Sequence, residues 1–328
     1  MKKISLEEAF AVKGVENYTP QILKLREFRQ TEAQLHDLAD MRLRAMDEGD
    51  VEIAVVSATS PAIQGIKDPG IEVDTARAWN DYVAEAISPN NDRLRAFACL
   101  PMRFPDAAAE ELHRAVKDLG LVGAMINGYD NAGDLPPVYY DSPQYLDFWK
   151  TAEALDVPVY IHPRPVPEDR ETTYRPYQEL KSASWGFHVE TAEHVLRLII
   201  SGLFDKVPNL KIIIGHMGEL LPFWCWRVDH RIQREGWDGE TAAQNGRPRE
   251  LSVSEYLRRN VFITTSGVFF TPALDHAIKV MGADRIMYSV DYPYEDYAEA
   301  SEWFNTLDYD RDTLNAIAYD NAKQLLKL

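Results

Sequence analysis

Glu7, His162, His216 and Asp291 each close a short apolar run, and the four runs lie far apart in the chain. The runs are Ile4–Leu6, Val157–Ile161, Ile212–Gly215 and Ile286–Val290. Functional side chains of parallel α/β proteins collect at strand C-termini, so the pattern reads as one metal site at a barrel mouth. Taken singly, a Glu or His at a strand end is more often a cap or a satisfied core polar group than a ligand; the coincidence of four carries the reading. Glu7, His162 and Asp291, with solvent completing the sphere, form an O/N/O ligand group suited to zinc, manganese or magnesium, and ligand type alone does not choose among them.

Elements able to bring such residues together are visible along the whole chain. Val- and Ile-rich runs alternate with amphipathic segments of helical period, the sign of repeated βα units. After the first run come 53–57, 94–100, 122–127, 157–162, 211–216, 261–265 and 286–291. Helices are expected over 106–119 and 190–203, where Val195, Leu198, Ile199 and Leu203 share one face. Eight parallel units predict a closed (β/α)8 TIM barrel formed by residues 1–328 as a single domain. Polar, Pro-rich or aromatic loops at 128–143, 163–180 and 292–297 then fall on the catalytic face.

Alternation along the first strand selects between neighbouring carboxylates. With Ile4 and Leu6 facing the outer helices, Ser5, Glu7 and Ala9 face the barrel interior and Glu8 does not. A buried carboxylate without a partner costs several kcal/mol, on the order set by desolvation, and a metal ion removes that cost. Tyr160 shares the face of His162. In Gly215-His216-Met217-Gly218-Glu219 the glycines permit a tight turn from strand to helix. His216 fits an acid/base or substrate-donor role, with Glu219 close enough to fix its tautomer; complementing the helix dipole is an equal explanation for Glu219. His113, His194, His230 and His276 lie on helical segments as packing or surface residues. His188 opens a helix after a long loop, where it either overhangs the pocket or serves the helix start.

Composition excludes other classes. The net charge of -17, from 35 Lys and Arg against 52 Asp and Glu, argues against nucleic acid as a partner. It also means that a small acid must be captured by strong local positive charge. No run approaches the roughly 20 apolar residues of a membrane span, and the start leads into a strand with no signal-like segment. Cys99 and Cys225 sit in apolar surroundings, and no disulfide framework is expected. A cytoplasmic location follows as the expectation.

The motifs Leu6-Glu7-Glu8-Ala9-Phe10, Asn127-Gly128, Tyr160-Ile161-His162-Pro163-Arg164, Gly215-His216-Met217-Gly218-Glu219, Trp226-Arg227, Thr264-Thr265-Ser266-Gly267 and Asp291-Tyr292-Pro293-Tyr294-Glu295 span nearly the whole chain. In this order they resemble the amidohydrolase-related aromatic decarboxylases, the γ-resorcylate (2,6-dihydroxybenzoate) and 2,3-dihydroxybenzoate types above all. The resemblance implies a (β/α)8 barrel, one divalent metal ion without an organic cofactor, a small aromatic acid substrate and a homodimer or homotetramer. It places metal ligands at Glu7, His162 and Asp291, and catalytic groups at Asp291, His216 and Glu219. Asn127 and Arg227 match positions that border the substrate, although an interhelix ion pair is the commoner fate of a helical Arg. Ala9 stands where the γ-resorcylate type carries a histidine. Trp185-Gly186-Phe187 sides with that type, while Asp291-Tyr292-Pro293 sides with the other, so the ring pattern of the substrate stays open. Tyr294 replaces a common Phe, and His188 is expected in neither type; both point to a pocket for an extra polar substituent.

The implied reaction is reversible, non-oxidative loss of carbon dioxide from an ortho-hydroxybenzoate. Direct cleavage would leave an aryl carbanion, so the ring carbon is protonated first, by Asp291 or by His216. The metal would chelate the carboxylate and the ortho oxygen as Lewis acid and template. Metal-dependent hydrolysis of a lactone or ester is the alternative on the same barrel, with Ala9 counting against it. A non-enzymatic binding module comes third.

Overall fold

The computed structural model describes residues 1–15, 26–131 and 136–328. Among the described residues are strands β1 (Lys3–Phe10), β2 (Val51–Ala58), β3 (Leu94–Ala96), β4 (Ala124–Asn127), β5 (Val159–His162), β6 (Ile212–Ile214), β7 (Val261–Thr264) and β8 (Ile286–Met287). Each falls on one of the runs picked out in the sequence. All neighbours pair in parallel, β1 to β3 in one ladder and β4 to β8 in another. A bridge between Ala98 and Ala124 joins the ladders on one side. On the other side the Ala9 N–H donates to the Tyr292 carbonyl at 2.7 Å. The sheet is therefore a closed (β/α)8 barrel.

Helices fall between the strands as the apolar period demands. The helix expected over 106–119 spans Pro105–Lys117, opening on a proline whose missing N–H costs nothing in the first turn. The one expected over 190–203 begins earlier, at Gly186, and ends at Ile200. Of the expected loop 128–143, residues 132–135 lie outside the described residues. No described helix is long and apolar enough to cross a membrane.

Two apolar layers separate inside from outside. Between sheet and helices lie Val56, Ala96, Ile126, Ile161, Ile214 and Ile263, among others. Within the barrel, Ile4, Leu6, Ile53, Val55, Phe97, Met125, Tyr160, Ile213 and Met287 pack together, with Leu325 and Leu326 of the last helix against them. This corrects the alternation assumed for the first strand. Ile4 and Leu6 face the interior, not the outer helices, and yet Glu7 also points inward. The cause is a bulge: Ser5 pairs with Ala54 and Glu8 with Val56, so β1 advances three residues where β2 advances two. The bulge puts Leu6 and Glu7 on one side and turns Glu8 to the other. Ser5, expected inside, instead donates its hydroxyl to Glu8.

Candidate active site

Glu7 is held by its neighbours before any ion is considered. Its side chain is 2% exposed, and its Oε2 accepts hydrogen bonds from the Tyr160 and Ser266 hydroxyls, with Thr264 Oγ1 at 3.4 Å. A Cβ on Gly215, at the end of β6, would collide with both carboxylate oxygens, so only glycine lets Glu7 lie there. Glu7 Oε1 is buried without a hydrogen-bond partner. Facing it are His162 Nε2 at 3.2 Å and His216 Nε2 at 3.7 Å. Burial alone would raise the Glu7 pKa, but the His216 imidazole and the Ser266 hydroxyl hold it down at about 2.

The turn after β6 is strained. His216, Met217, Gly218, Glu219 and Leu220 all have positive φ, from 48° to 83°, and for residues other than glycine each such conformation costs on the order of 1–3 kcal/mol. The strain is repaid in geometry. Glu219 is wholly buried, with Oε1 at 2.7 Å from His216 Nδ1 and Oε2 at 2.5 Å from His188 Nδ1. The carboxylate thus bridges two imidazoles, both part-buried. Burial opposes the charge on Glu219, but His216 and His188 keep its pKa below the usual range. Burial likewise opposes a charge on His216, whose pKa the Glu7 and Glu219 carboxylates nevertheless carry well above its ordinary value.

Asp291 lies beyond the last ladder residue of β8, at φ 83°. Its Oδ2 is 3.5 Å from His216 Nε2. Burial raises its pKa, and the nearby Glu7 charge adds to the rise against the pull of His216.

The structure thus brings Glu7, His162, His216, Glu219, Asp291 and His188 together. Among the described residues, Glu7, His216 and Asp291 form a donor grouping whose ligand atoms lie within 4.8 Å of one another. His162 joins through Glu7. Asn127 ends β4 in register with His162 and is buried, with its Oδ1 unpartnered. Tyr294 places its hydroxyl 2.6 Å from Thr59 Oγ1. Arg227 is not brought in: it is exposed on the helix Leu221–Arg234. Tyr160, Thr264 and Ser266 were not singled out from sequence as holders of Glu7. The inward face of Tyr160 and the Thr-Thr-Ser-Gly run were the available signals.

The donor set fits a divalent cation. His162 Nδ1 lies 2.8 Å from the Pro163 carbonyl, which can only accept, so the proton sits on Nδ1 and the Nε2 lone pair faces Glu7. An unpartnered carboxylate oxygen, an imidazole lone pair and a second carboxylate converge on one small space. Electron-rich atoms so placed repel one another unless a positive charge lies among them.

Residues 26–328 match the family described as Amidohydrolase. The chain is 43% identical to a γ-resorcylate decarboxylase of Polaromonas sp. (strain JS666) over 99% of its own length and 98% of that protein. The structure of a 2,6-dihydroxybenzoate decarboxylase complexed with 2,6-dihydroxybenzoate superposes with a TM-score of 0.93 at 41% identity, covering 100% of both chains. A dihydroxybenzoic acid decarboxylase from Polaromonas sp. JS666, with bound manganese and the inhibitor 2-nitroresorcinol, gives 0.91 at 41% identity, covering 100% of this chain and 97% of the other. With its barrel closed and its carboxylate and imidazole donors gathered at one mouth, the chain belongs to the amidohydrolase family, in the branch that holds these aromatic decarboxylases.

Proposed function

We propose that the chain is a divalent-metal-dependent, non-oxidative decarboxylase of an ortho-hydroxybenzoate of the dihydroxybenzoate type. The carrying observation is the unpartnered, buried Glu7 Oε1 facing imidazole and carboxylate donors, in a chain so similar to γ-resorcylate decarboxylases. Glu7, His162 and Asp291 would hold the ion: manganese, as bound in a relative's structure, or zinc or magnesium on donor type. When bound, the ion supplies Lewis acidity and a template for the substrate's carboxylate and ortho oxygen.

Two imidazoles face the same centre, and the partners of their Nδ1 atoms separate their roles. A neutral carbonyl leaves His162 a ligand; a buried carboxylate shared with His188 favours a proton-bearing His216. Asp291 hands its proton to the ring carbon that bears the carboxylate. The carbon–carboxylate bond then breaks, its electron pair returns to the ring, carbon dioxide leaves, and Asp291 recovers a proton from solvent. Because protonation comes first, no organic electron sink is needed. Asn127, Tyr294 and His188 border the ring. His216, its charge held by Glu219, orients the ortho oxygen by donating to it.

We also read the whole chain as one working domain and as a homodimer or homotetramer, supported by Phe223, Trp224 and Trp226 exposed beside Arg227 on one helix. Two buried free cysteines suit a cytoplasmic location.

Turnover in deuterium oxide tests the proton step. The product should carry one deuterium at the vacated ring carbon, and Asp291→Asn should lose turnover far more than ligand affinity. Wild-type turnover in Asp291→Asn would remove Asp291 as donor.

A further inference from the structure

Asp291 stands in a segment beyond the regular pairing of β8. Hydrogen-bonded pairing of β8 ends at Met287, so residues 288–292 need other partners for their backbone groups. Backbone groups supply some, the Ile317 carbonyl for the Tyr288 N–H and the Gly267 and Ala9 amides for the Val290 and Tyr292 carbonyls; side chains supply others. Thr265 Oγ1 takes the Ser289 N–H at 3.0 Å and donates to the Ser289 carbonyl at 2.9 Å. The Glu8 carboxylate faces the two amides that flank Asp291, with the Tyr292 N–H at 3.1 Å from Oε2 and the Val290 N–H at 3.4 Å from Oε1. Ser289 works across the same seam in the opposite direction, its Oγ accepting from Glu7 N–H at 2.9 Å and Leu6 N–H at 3.2 Å. These are the amides that the β1 bulge takes out of regular pairing.

A wholly buried carboxylate is an expensive way to fill a barrel wall. Glu8 is 0% exposed and keeps hydroxyl partners in Ser5 and, at 3.5 Å, in Ser289. Arg42 lies nearby, its Nη2 at 2.6 Å from the Ala9 carbonyl and its guanidinium 5.0 Å from the Tyr292 ring. Packing alone would be served by Leu or Met. What an apolar side chain lacks is an acceptor for amides on both sides of a residue held at φ 83°.

We propose that Glu8, with Ser289, is a positioning residue for the metal centre. Its carboxylate fixes the backbone on either side of Asp291 while Ser289 fixes the backbone of Glu7, so this one seam sets the separation of the two acidic ligands. The inference rests on Glu7 and Asp291 sharing an ion. It gives a task to the carboxylate that strand alternation alone would leave aside, and it explains why two acids stand side by side at the end of the first apolar run.

The test compares Glu8→Met, Glu8→Gln and Ser289→Ala with the parent by three readouts: manganese affinity from chelator competition, the visible spectrum of the cobalt(II)-substituted protein, and thermal unfolding. Loss of such outer partners costs about 10–100-fold in metal affinity or activity. Glu8→Met should weaken manganese binding by that amount and change the cobalt spectrum. Glu8→Gln, which keeps one acceptor, should recover much of the loss, and Ser289→Ala should shift both readouts in the same direction if Glu8→Met does not fold. A lower melting temperature with parental affinity and an unchanged cobalt spectrum in the folded variants would make Glu8 a stability residue only and overturn the inference. A parent that binds no stoichiometric ion would bring down the metal reading itself. Parental binding without decarboxylation would leave the inference standing and fell only the proposed reaction.

Discussion

His162 directs its Nε2 at Oε1 of Glu7 from 3.2 Å, across a gap that joins the first and fifth strands. A carbonyl holds the other ring nitrogen, so the pair is arranged to share a cation. Removing either partner should empty the site. Glu7→Gln and His162→Ala should each be purified with far less than one equivalent of metal by elemental analysis, with the circular dichroism of the parent. Stoichiometric metal in both would assign the ligand set elsewhere.

His216 has a different second partner, the Glu219 carboxylate at 2.7 Å. His216→Gln should retain the metal and lose turnover by about 10²–10⁴-fold, the range of general acid–base contributions. Glu219→Gln should follow it with a smaller loss. Metal analysis beside kcat distinguishes the outcomes: loss of metal in His216→Gln would make it a ligand, as its place beside Glu7 and Asp291 permits.

Gly215 leaves the room in which the Glu7 carboxylate and the Tyr160 hydroxyl lie. Gly215→Ala should destabilise the fold by about 1–3 kcal/mol, as overpacking does, and weaken metal binding by displacing Glu7. Thermal unfolding and a metal titration check both effects. A variant as stable and as metal-loaded as the parent would mean that the Glu7 side chain is free to move aside.

Stability should fall as pH rises through neutrality. Burial pushes Glu72 up to about 8, with Asp130 adding to the rise, and burial pushes Glu190 up to about 7. Between the ordinary value of 4.5 and these values the native protein binds more protons than the unfolded chain, so raising the pH favours unfolding. The urea midpoint should decline from pH 5.5 to pH 8.5, and Glu72→Gln should flatten the decline. A midpoint that rises over this interval would contradict the assignment.

Much of this site was legible in the sequence because apolar runs ending in Glu, His or Asp report strand ends directly. All eight runs are strands or lie beside them. Alternation chose Glu7 over Glu8 correctly but from a wrong premise: Leu6 and Glu7 both face inward because of a bulge, and a one-residue bulge leaves no mark in a pattern of period two. Tyr160 and the Thr-Thr-Ser-Gly run stood out in the sequence, but not as holders of Glu7, since their partner is brought to them only when the barrel closes. His188 showed either as a residue overhanging the pocket or as a helix-start residue, and the left-handed turn at 216–220 brings Glu219 beneath it. The substrate-bordering role suggested for Arg227 has no counterpart within one chain, where its helix face is exposed.

The central claim is that these donors hold an ion that serves decarboxylation. The most direct measurement is carbon dioxide release from a panel of mono- and dihydroxybenzoates by metal-replete protein, repeated after chelation and after manganese is returned. Release from at least one ortho-hydroxybenzoate, lost with chelator and restored by metal, is the predicted result; no release from any of them, beside metal-dependent turnover of a lactone or ester, would contradict it.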